Sequence, residues 1–250
     1  MSYLLVHGGA TTHHHWDLVV PHLDGPVLAV DLPGRLGKPA DLATLTVEEA
    51  AASVVGDVVA SPLADDRDLV LVAHSSGGLE IPAIVRGLGH DRVAAIVLNA
   101  ASVPPEGGNG FDCMQARHRE ASLAAVADAD ANGTAIITPL PRAESMRRSS
   151  GEDLTDEQHA FVIDPRRNVQ DSFNLYRHPV HWSHTAGIPA TYVVNLHDRI
   201  IPPDLQREMA ARLPGPSRVV ELDAGHLPAV TCPEALAAIV RTATRRAVSA

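Results

Sequence analysis

Five apolar residues, Leu69 to Ala73, run without a break into His74-Ser75-Ser76-Gly77-Gly78-Leu79, and no other stretch of the 250-residue chain restricts its folding as tightly. A short, unbroken run rich in branched side chains is what a strand buried on both faces of a parallel sheet requires. Ala73 and Gly77 are small residues two before and two after Ser75, so strand and following helix can approach closely around a strained turn. That turn lifts Ser75 to the top of the sheet. It also makes Ser76 the first residue of a helix, where its N–H lacks an intrahelical partner and the dipole favours negative charge. Ser75 is therefore a candidate nucleophile. The competing reading, that Ser-Ser-Gly-Gly is only a tight turn, has to be judged against the rest of the chain.

Strand and helix signals alternate along it. Tyr3 to Val6 reads as a first strand closed by the turn His7-Gly8-Gly9-Ala10, and Trp16, Val19, Val20 and Leu23 recur as one helical face. Pro26 to Asp31 reads as the next strand, and Thr46-Val47-Glu48-Glu49 is a capping box opening a helix to about Ala60. Pro82 falls within the helix after Ser75, where a kink or early irregularity is expected. Val93 to Leu98 is another buried strand. Strand signals then vanish between about Ala101 and Ala186, replaced by the capping box Thr155-Asp156-Glu157-Gln158 and by Asp164-Pro165, a cap followed by a helix-start proline. They resume at Ala190 to Asn195 and Arg218 to Leu222, with a last helix from about Pro233 to Arg246. Such alternation implies an α/β fold, a parallel sheet covered by helices with one late helical insertion.

Ligands of such sheets bind beyond the carboxyl ends of the strands, and Ser75, Gly9, Asp198 and His226 all lie at or just past those ends. A serine hydroxyl needs a base, and the base needs a third group to orient it. His226, in Asp223-Ala224-Gly225-His226 after the last strand, is the candidate base. Asp198, in Leu196-His197-Asp198 after the preceding strand, is the candidate orienting acid, with Asp204 and Asp223 as alternatives. Acyl transfer also needs backbone N–H donors for the oxyanion, worth about 3 kcal/mol each. Gly9 and Ser76 are the candidates.

Taken together, Leu5-Val6-His7-Gly8-Gly9, Asp31-Leu32-Pro33-Gly34, Ala73-His74-Ser75-Ser76-Gly77-Gly78, Asp198 with Pro202, and Gly225-His226 resemble the α/β-hydrolases. The resemblance is to the small members that begin directly at the Val-His-Gly strand: plant-type methyl-ester esterases, hydroxynitrile lyases and their bacterial relatives. It implies about six mostly parallel strands flanked by helices, with a helical cap inserted after the strand ending near Asn99. The core would span residues 1–102 and 187–250, and the cap 103–186. It further implies a cofactor-independent carboxylesterase acting through an acyl-enzyme on a small or medium apolar ester. Rival readings are a repurposed thioesterase, lyase or cyclase, and a ligand-binding receptor that keeps the triad. Dehalogenases and epoxide hydrolases of this fold use a carboxylate nucleophile, against which Ser75 speaks.

Hydroxynitrile lyases carry a threonine after the first-strand histidine and a lysine after the catalytic one, where this chain has Gly8 and Leu227. Leucine cannot hold a departing cyanide, so cyanide release is not expected. Gly8 is expected to leave room for an ester's alcohol portion or the attacking water. Within the cap, Phe111, Met114, Phe161, Phe173 and Trp182 are candidates to line the substrate pocket, although each could equally belong to the cap's own core.

A net charge of −10 with no basic stretch gives nucleic acid no electrostatic footprint. Cys113 and Cys232 are the only cysteines and form no CxxC pattern, which points to a reducing compartment and a cytoplasmic protein. No apolar run reaches membrane-span length, and the first residues lack the basic start of a signal peptide. A homodimer is compatible with the sequence. No metal site is expected: consecutive residues His13-His14-His15 diverge around a helix and read as solvated surface, and His178, His181 and His184 read as cap residues near the site. Arg147-Arg148 and Arg166-Arg167 read as solvated cap surface.

Overall fold

The structure is a computed structural model that describes residues 1–134, 137–138, 147 and 154–243. Six strands, β1 (Ser2–Val6), β2 (Val27–Val30), β3 (Leu69–His74), β4 (Val93–Asn99), β7 (Ala190–Asn195) and β8 (Ser217–Leu222), form one sheet in the order β2-β1-β3-β4-β7-β8. All its pairings are parallel. The register sets Val6 beside Ala73, His74 beside Asn99 and Asn195 beside Leu222, so the loops after β1, β3, β7 and β8 leave from one edge.

Because side chains alternate along a strand, a sheet covered on both faces needs apolar residues at every position. On one face Leu4, Val6, Leu71, Ala73, Ile96 and Leu98 pack with Ala51, Val54 and Val58 of helix α1 (Val47–Val59) and Ile81, Ile84 and Val85 of α2 (Ile81–Leu88). On the other, Tyr3, Leu5, Val70, Val72, Ala95 and Val97 pack with Trp16, Val19 and the last described helix. The Thr46 capping box forms as read, with Thr46 and Glu49 exchanging hydrogen bonds.

Proline decides one departure from the sequence reading and the form of one irregularity that it expected. The helix expected from Trp16 to Leu23 is two 3-10 turns, His13–Trp16 and Val20–His22, the second entered at Pro21; Trp16 and Val19 still bury. After Ser75 the chain makes a 3-10 turn, Ser75–Gly78, and α2 starts afresh at Ile81. Pro82 thus occupies the first turn, where its missing N–H costs nothing, and does not kink a longer helix.

Between β4 and β7 lie α3 (Ala116–Asn132) and α4 (Asp156–Ile163), the latter opened by the Thr155–Gln158 capping box. This stretch is not purely helical: β5 (Ile137–Thr138) pairs antiparallel with β6 (Asp171–Ser172). Nor does Asp164-Pro165 start a helix. Asp164 ends α4, and its carboxylate accepts the Arg166 N–H at 2.8 Å and the Arg166 guanidinium. After β7 come α5 (Pro203–Ala210), then α6 (Pro228–Thr231) and α7 (Pro233–Thr242) following β8; residues 244–246, expected in the last helix, and Arg148 lie outside the described residues. Among the described residues no helix is long and apolar enough to cross a membrane.

Candidate active site

Ser75 directly follows β3 with φ at +53°, a conformation that a residue with a side chain adopts only when its surroundings impose it. They do so by crowding. A Cβ on Gly77 would lie 2.4 Å from the His7 carbonyl oxygen, and one on Gly78 would lie 2.4 Å from that of Ser102. The Ser102 N–H also donates to the Ser75 carbonyl at 2.8 Å. The result is a serine whose Oγ faces the sheet edge.

There the structure brings together residues 75, 198 and 226. His226 Nε2 is 3.1 Å from Ser75 Oγ, and His226 Nδ1 is 2.7 Å from Asp198 Oδ2. Asp198 is also the turn residue it could have been: its Oδ1 accepts from the N–H groups of Ile200 and Ile201 at 2.8 and 2.9 Å. Gln206 Nε2 donates to Oδ2 at 3.0 Å, so four donors converge on one buried carboxylate. Asp198 is thereby the acceptor and His226 Nδ1 the donor, which leaves the Nε2 lone pair facing the Ser75 hydroxyl. The alternative acids turn elsewhere, Asp204 to Arg207 and Asp223 to His197, both exposed. Gln206 escaped sequence reasoning because it lies on the next helix with no local motif to mark it.

Gly9 and Ser76 lie against each other, since a Cβ on Gly9 would sit 3.1 Å from Ser76 Oγ. Gly8 corrects an expectation. A Cβ there would be 2.8 Å from Ser75 Cβ and 3.0 Å from His74 Nδ1, so the glycine permits close packing of the loop after β1 against the Ser75 turn and leaves no room for substrate. Leu227 packs with Leu154, Val162 and Val230. Arg199, the cation nearest Asp198 in sequence, is exposed.

Behind His226 three more imidazoles are buried. His74 Nε2 donates to the His226 carbonyl at 2.8 Å, and His15 stacks on His74 at 4.5 Å. So the His13-His14-His15 run is not all solvated surface: His15 points inward, while His13 and His14 pair with Asp31 and Asp17. Burial pushes His7 down to about 4 and His15 down to about 3, and burial with neighbouring imidazoles holds His74 well below its ordinary value. The unfolded chain takes up these protons near pH 6.5. Below that pH the unfolded state binds more protons, so stability is full above about pH 6.5 and falls with pH, by up to about 1.4 kcal/mol per unit for each group. Melting temperature should therefore drop between pH 6.5 and 4.5, and His15→Phe should flatten the drop by about a third; a profile flat over that range contradicts it.

A cavity of about 390 Å³ opens at Ser75, walled by Met114, Phe173, Tyr176, Ile200 and Ile201, with Ser102, Cys113, Gln115, His118 and Ser122 also lining it. Of the five expected wall residues, Met114 and Phe173 line it. Phe111 is buried behind them, 6.2 Å from the Phe173 ring and 5.9 Å from Tyr176. Trp182 belongs to the main core, and Phe161 packs near Leu227 beneath Arg167, whose guanidinium lies 3.7 Å from its ring centre. Arg167 is accordingly buried, bonded to Asp17 and the His14 carbonyl, and not solvated surface. His181 and His184 lie away from the cavity, His181 bonding Glu106. Tyr176, missed from sequence, lines the cavity, and its hydroxyl lies 3.7 Å from where a Cβ on Gly9 would sit. Among the described residues no group of His, Cys, Asp or Glu converges as metal ligands would.

The family model of the alpha/beta hydrolases matches residues 3–239. The chain belongs to the alpha/beta hydrolase family. Among similar proteins, a pyrethroid hydrolase from Sphingobium wenxiniae is 28% identical over 249 residues, covering 94% of this chain and 84% of that protein. The fold is shared with an extracellular α/β-hydrolase from a Paenibacillus species described as structurally and functionally homologous to tobacco salicylic acid binding protein 2. That structure matches at a TM-score of 0.78 and 21% identity, over 98% of this chain and 100% of that one. A methylesterase from Arabidopsis matches at a TM-score of 0.69 and 16% identity, over 96% and 97% of the respective chains.

Proposed function

We propose that this α/β-hydrolase is a serine esterase that cleaves neutral carboxylic esters, with Ser75 as nucleophile, His226 as base and Asp198 as its orienting acid. The observation that carries this reading is the relay of 3.1 and 2.7 Å contacts ending at a cavity wall. As the Ser75 Oγ–carbonyl carbon bond forms, the hydroxyl proton passes to His226 Nε2, and the oxyanion is met by the N–H groups of Gly9 and Ser76. Collapse breaks the bond to the alkoxy oxygen, which takes the proton from His226. Water then attacks the acyl carbon, giving its proton to His226; cleavage of the acyl–Oγ bond returns a proton to Ser75 and releases the acid. Residues 103–186 serve as the cap, excluding water and strengthening those interactions.

The substrate class follows from the cavity. No Asp, Glu, Lys or Arg side chain lines it among the described residues, and a charged substrate would leave its hydration uncompensated. The names of the relatives, a pyrethroid hydrolase and a methylesterase, agree with ester cleavage. Turnover of a panel of neutral aryl and alkyl esters tests the reading; a folded protein inert towards the whole panel contradicts it. Met114→Ala and Phe173→Ala should shift the ratio of kcat/KM between bulky and small esters by about 10-fold or more. Phe111→Ala and Trp182→Ala should instead cost about 3–5 kcal/mol of stability with the ratio unmoved. The opposite pattern, measured by the same kinetics and by thermal melts, would reject this wall.

A further inference from the structure

Beside the loop after β1 lies a buried ion pair that the reaction above does not use. Arg35 Nη2 donates to Asp171 Oδ1 at 2.5 Å, and both residues are buried. Asp171 Oδ1 also accepts the Ser172 N–H at 2.8 Å, while its Oδ2 accepts the Ala10 N–H at 3.0 Å. Arg35 Nε reaches the same loop, donating to the Thr11 carbonyl at 3.0 Å. The Val169 N–H donates to the Ala10 carbonyl at 3.1 Å. Both polar groups of Ala10 are thus gripped by the stretch between β4 and β7.

That grip coincides with strain. Ala10 holds φ at +55°, which a non-glycine residue keeps only when its surroundings over-determine it. A Cβ on Gly9 would lie 2.7 Å from Asp171 Oδ2, so the carboxylate lies directly against the glycine. Fixing the Ala10 N–H fixes the plane of the Gly9–Ala10 peptide, which restricts the adjoining Gly8–Gly9 peptide that carries the Gly9 N–H. A lone carboxylate here would oppose a developing oxyanion, but Arg35 neutralises it. Glu80, buried nearby, is pushed up to about 8 by burial, which favours its neutral form, while Asp171 is the carboxylate in contact with Arg35. A buried ion pair is weak evidence for net stability compared with apolar residues of the same volume. Its hydrogen bonds do fix position.

We propose that Asp171, held by Arg35, is a positioning residue that aims the Gly9 N–H at the oxyanion, so the inserted segment sets the reaction site as well as covering it. This rests on the proposed serine-esterase reading, in which Ser75 is the nucleophile and Gly9 an oxyanion donor. Two double variants remove both charges and differ in whether residue 171 still offers an acceptor to the Ala10 and Ser172 N–H groups. Arg35→Met with Asp171→Ala should lower kcat by about 10- to 100-fold with KM within about twofold, as expected of a group misplaced by about an ångström. It should weaken a trifluoromethyl ketone, which forms a tetrahedral oxyanion, in parallel. Arg35→Met with Asp171→Asn, whose amide oxygen can still accept from Ala10, should restore kcat to within about fivefold of wild type. If the alanine form fails to fold, Asp171→Leu in its place fills the space without an acceptor and carries the same expectation. Equal kcat for the acceptor-bearing and acceptor-free forms, or a change confined to KM, would overturn the proposal. Failure of the underlying reading would look different: Ser75→Ala would then retain turnover, whatever the Asp171 variants do.

Discussion

Ser75→Ala is expected to lower ester turnover by roughly 10⁴- to 10⁶-fold, the scale seen when one member of a cooperating triad is removed. The argument is local. Ser75 Oγ is the atom that the His226 Nε2 lone pair faces, at 3.1 Å, and alanine leaves that base with nothing to deprotonate. The residual rate would come from the backbone donors and from binding, which the substitution leaves in place. Ser75→Gly should be equally inactive yet more stable, because glycine adopts the +53° φ of this position without strain of about 1 kcal/mol or more. Kinetics on a responsive ester and thermal melts check both halves. A Ser75→Ala protein with near wild-type turnover would remove the nucleophile from the account.

Asp198→Asn is expected to lower kcat by about 10⁴ while leaving the fold in place. Asp198 Oδ1 is met by two backbone donors, Ile200 and Ile201, so the carboxamide oxygen must stay on that side. Its NH₂ group is then forced toward His226 Nδ1 and toward Gln206 Nε2. Gln206 cannot turn over to accept it, since its Oε1 takes the Asn195 N–H at 2.9 Å and its Nε2 donates to the Ile201 carbonyl at 2.6 Å. His226 must present a lone pair at Nδ1 and carry its proton on Nε2, where it cannot act as base toward Ser75. Asp204→Asn and Asp223→Asn should change kcat less than twofold or so, as exposed residues with other partners. A damaging Asp223→Asn beside a mild Asp198→Asn would reverse the assignment.

What could be read from the sequence was what short-range constraints write into it. The buried strand before Ser75, the small residues around it and the capping boxes at Thr46 and Thr155 each follow from local sterics or local hydrogen bonding, and each forms. Periodicity misled at Pro21, where a proline redistributed a helix and the apolar spacing survives in shorter 3-10 pieces. The cavity wall was half legible: aromatic side chains at helical spacing serve equally as wall or as core, and only packing separates Phe173 from Phe111. Long-range polar pairs were not legible at all. Arg35 and Asp171 lie 136 positions apart, and neither carries a motif that would single it out among exposed charges. Gln206 and Tyr176 are silent for the same reason.

The central claim, that Ser75 is the activated nucleophile of a serine esterase, is tested most directly by a fluorophosphonate probe followed by peptide mass analysis. The account predicts one adduct per chain, on Ser75, forming at neutral pH and lost in Asp198→Asn under the same brief exposure. Labelling at Ser76, or labelling of Ser75 at an equal rate with Asp198 replaced, would contradict it.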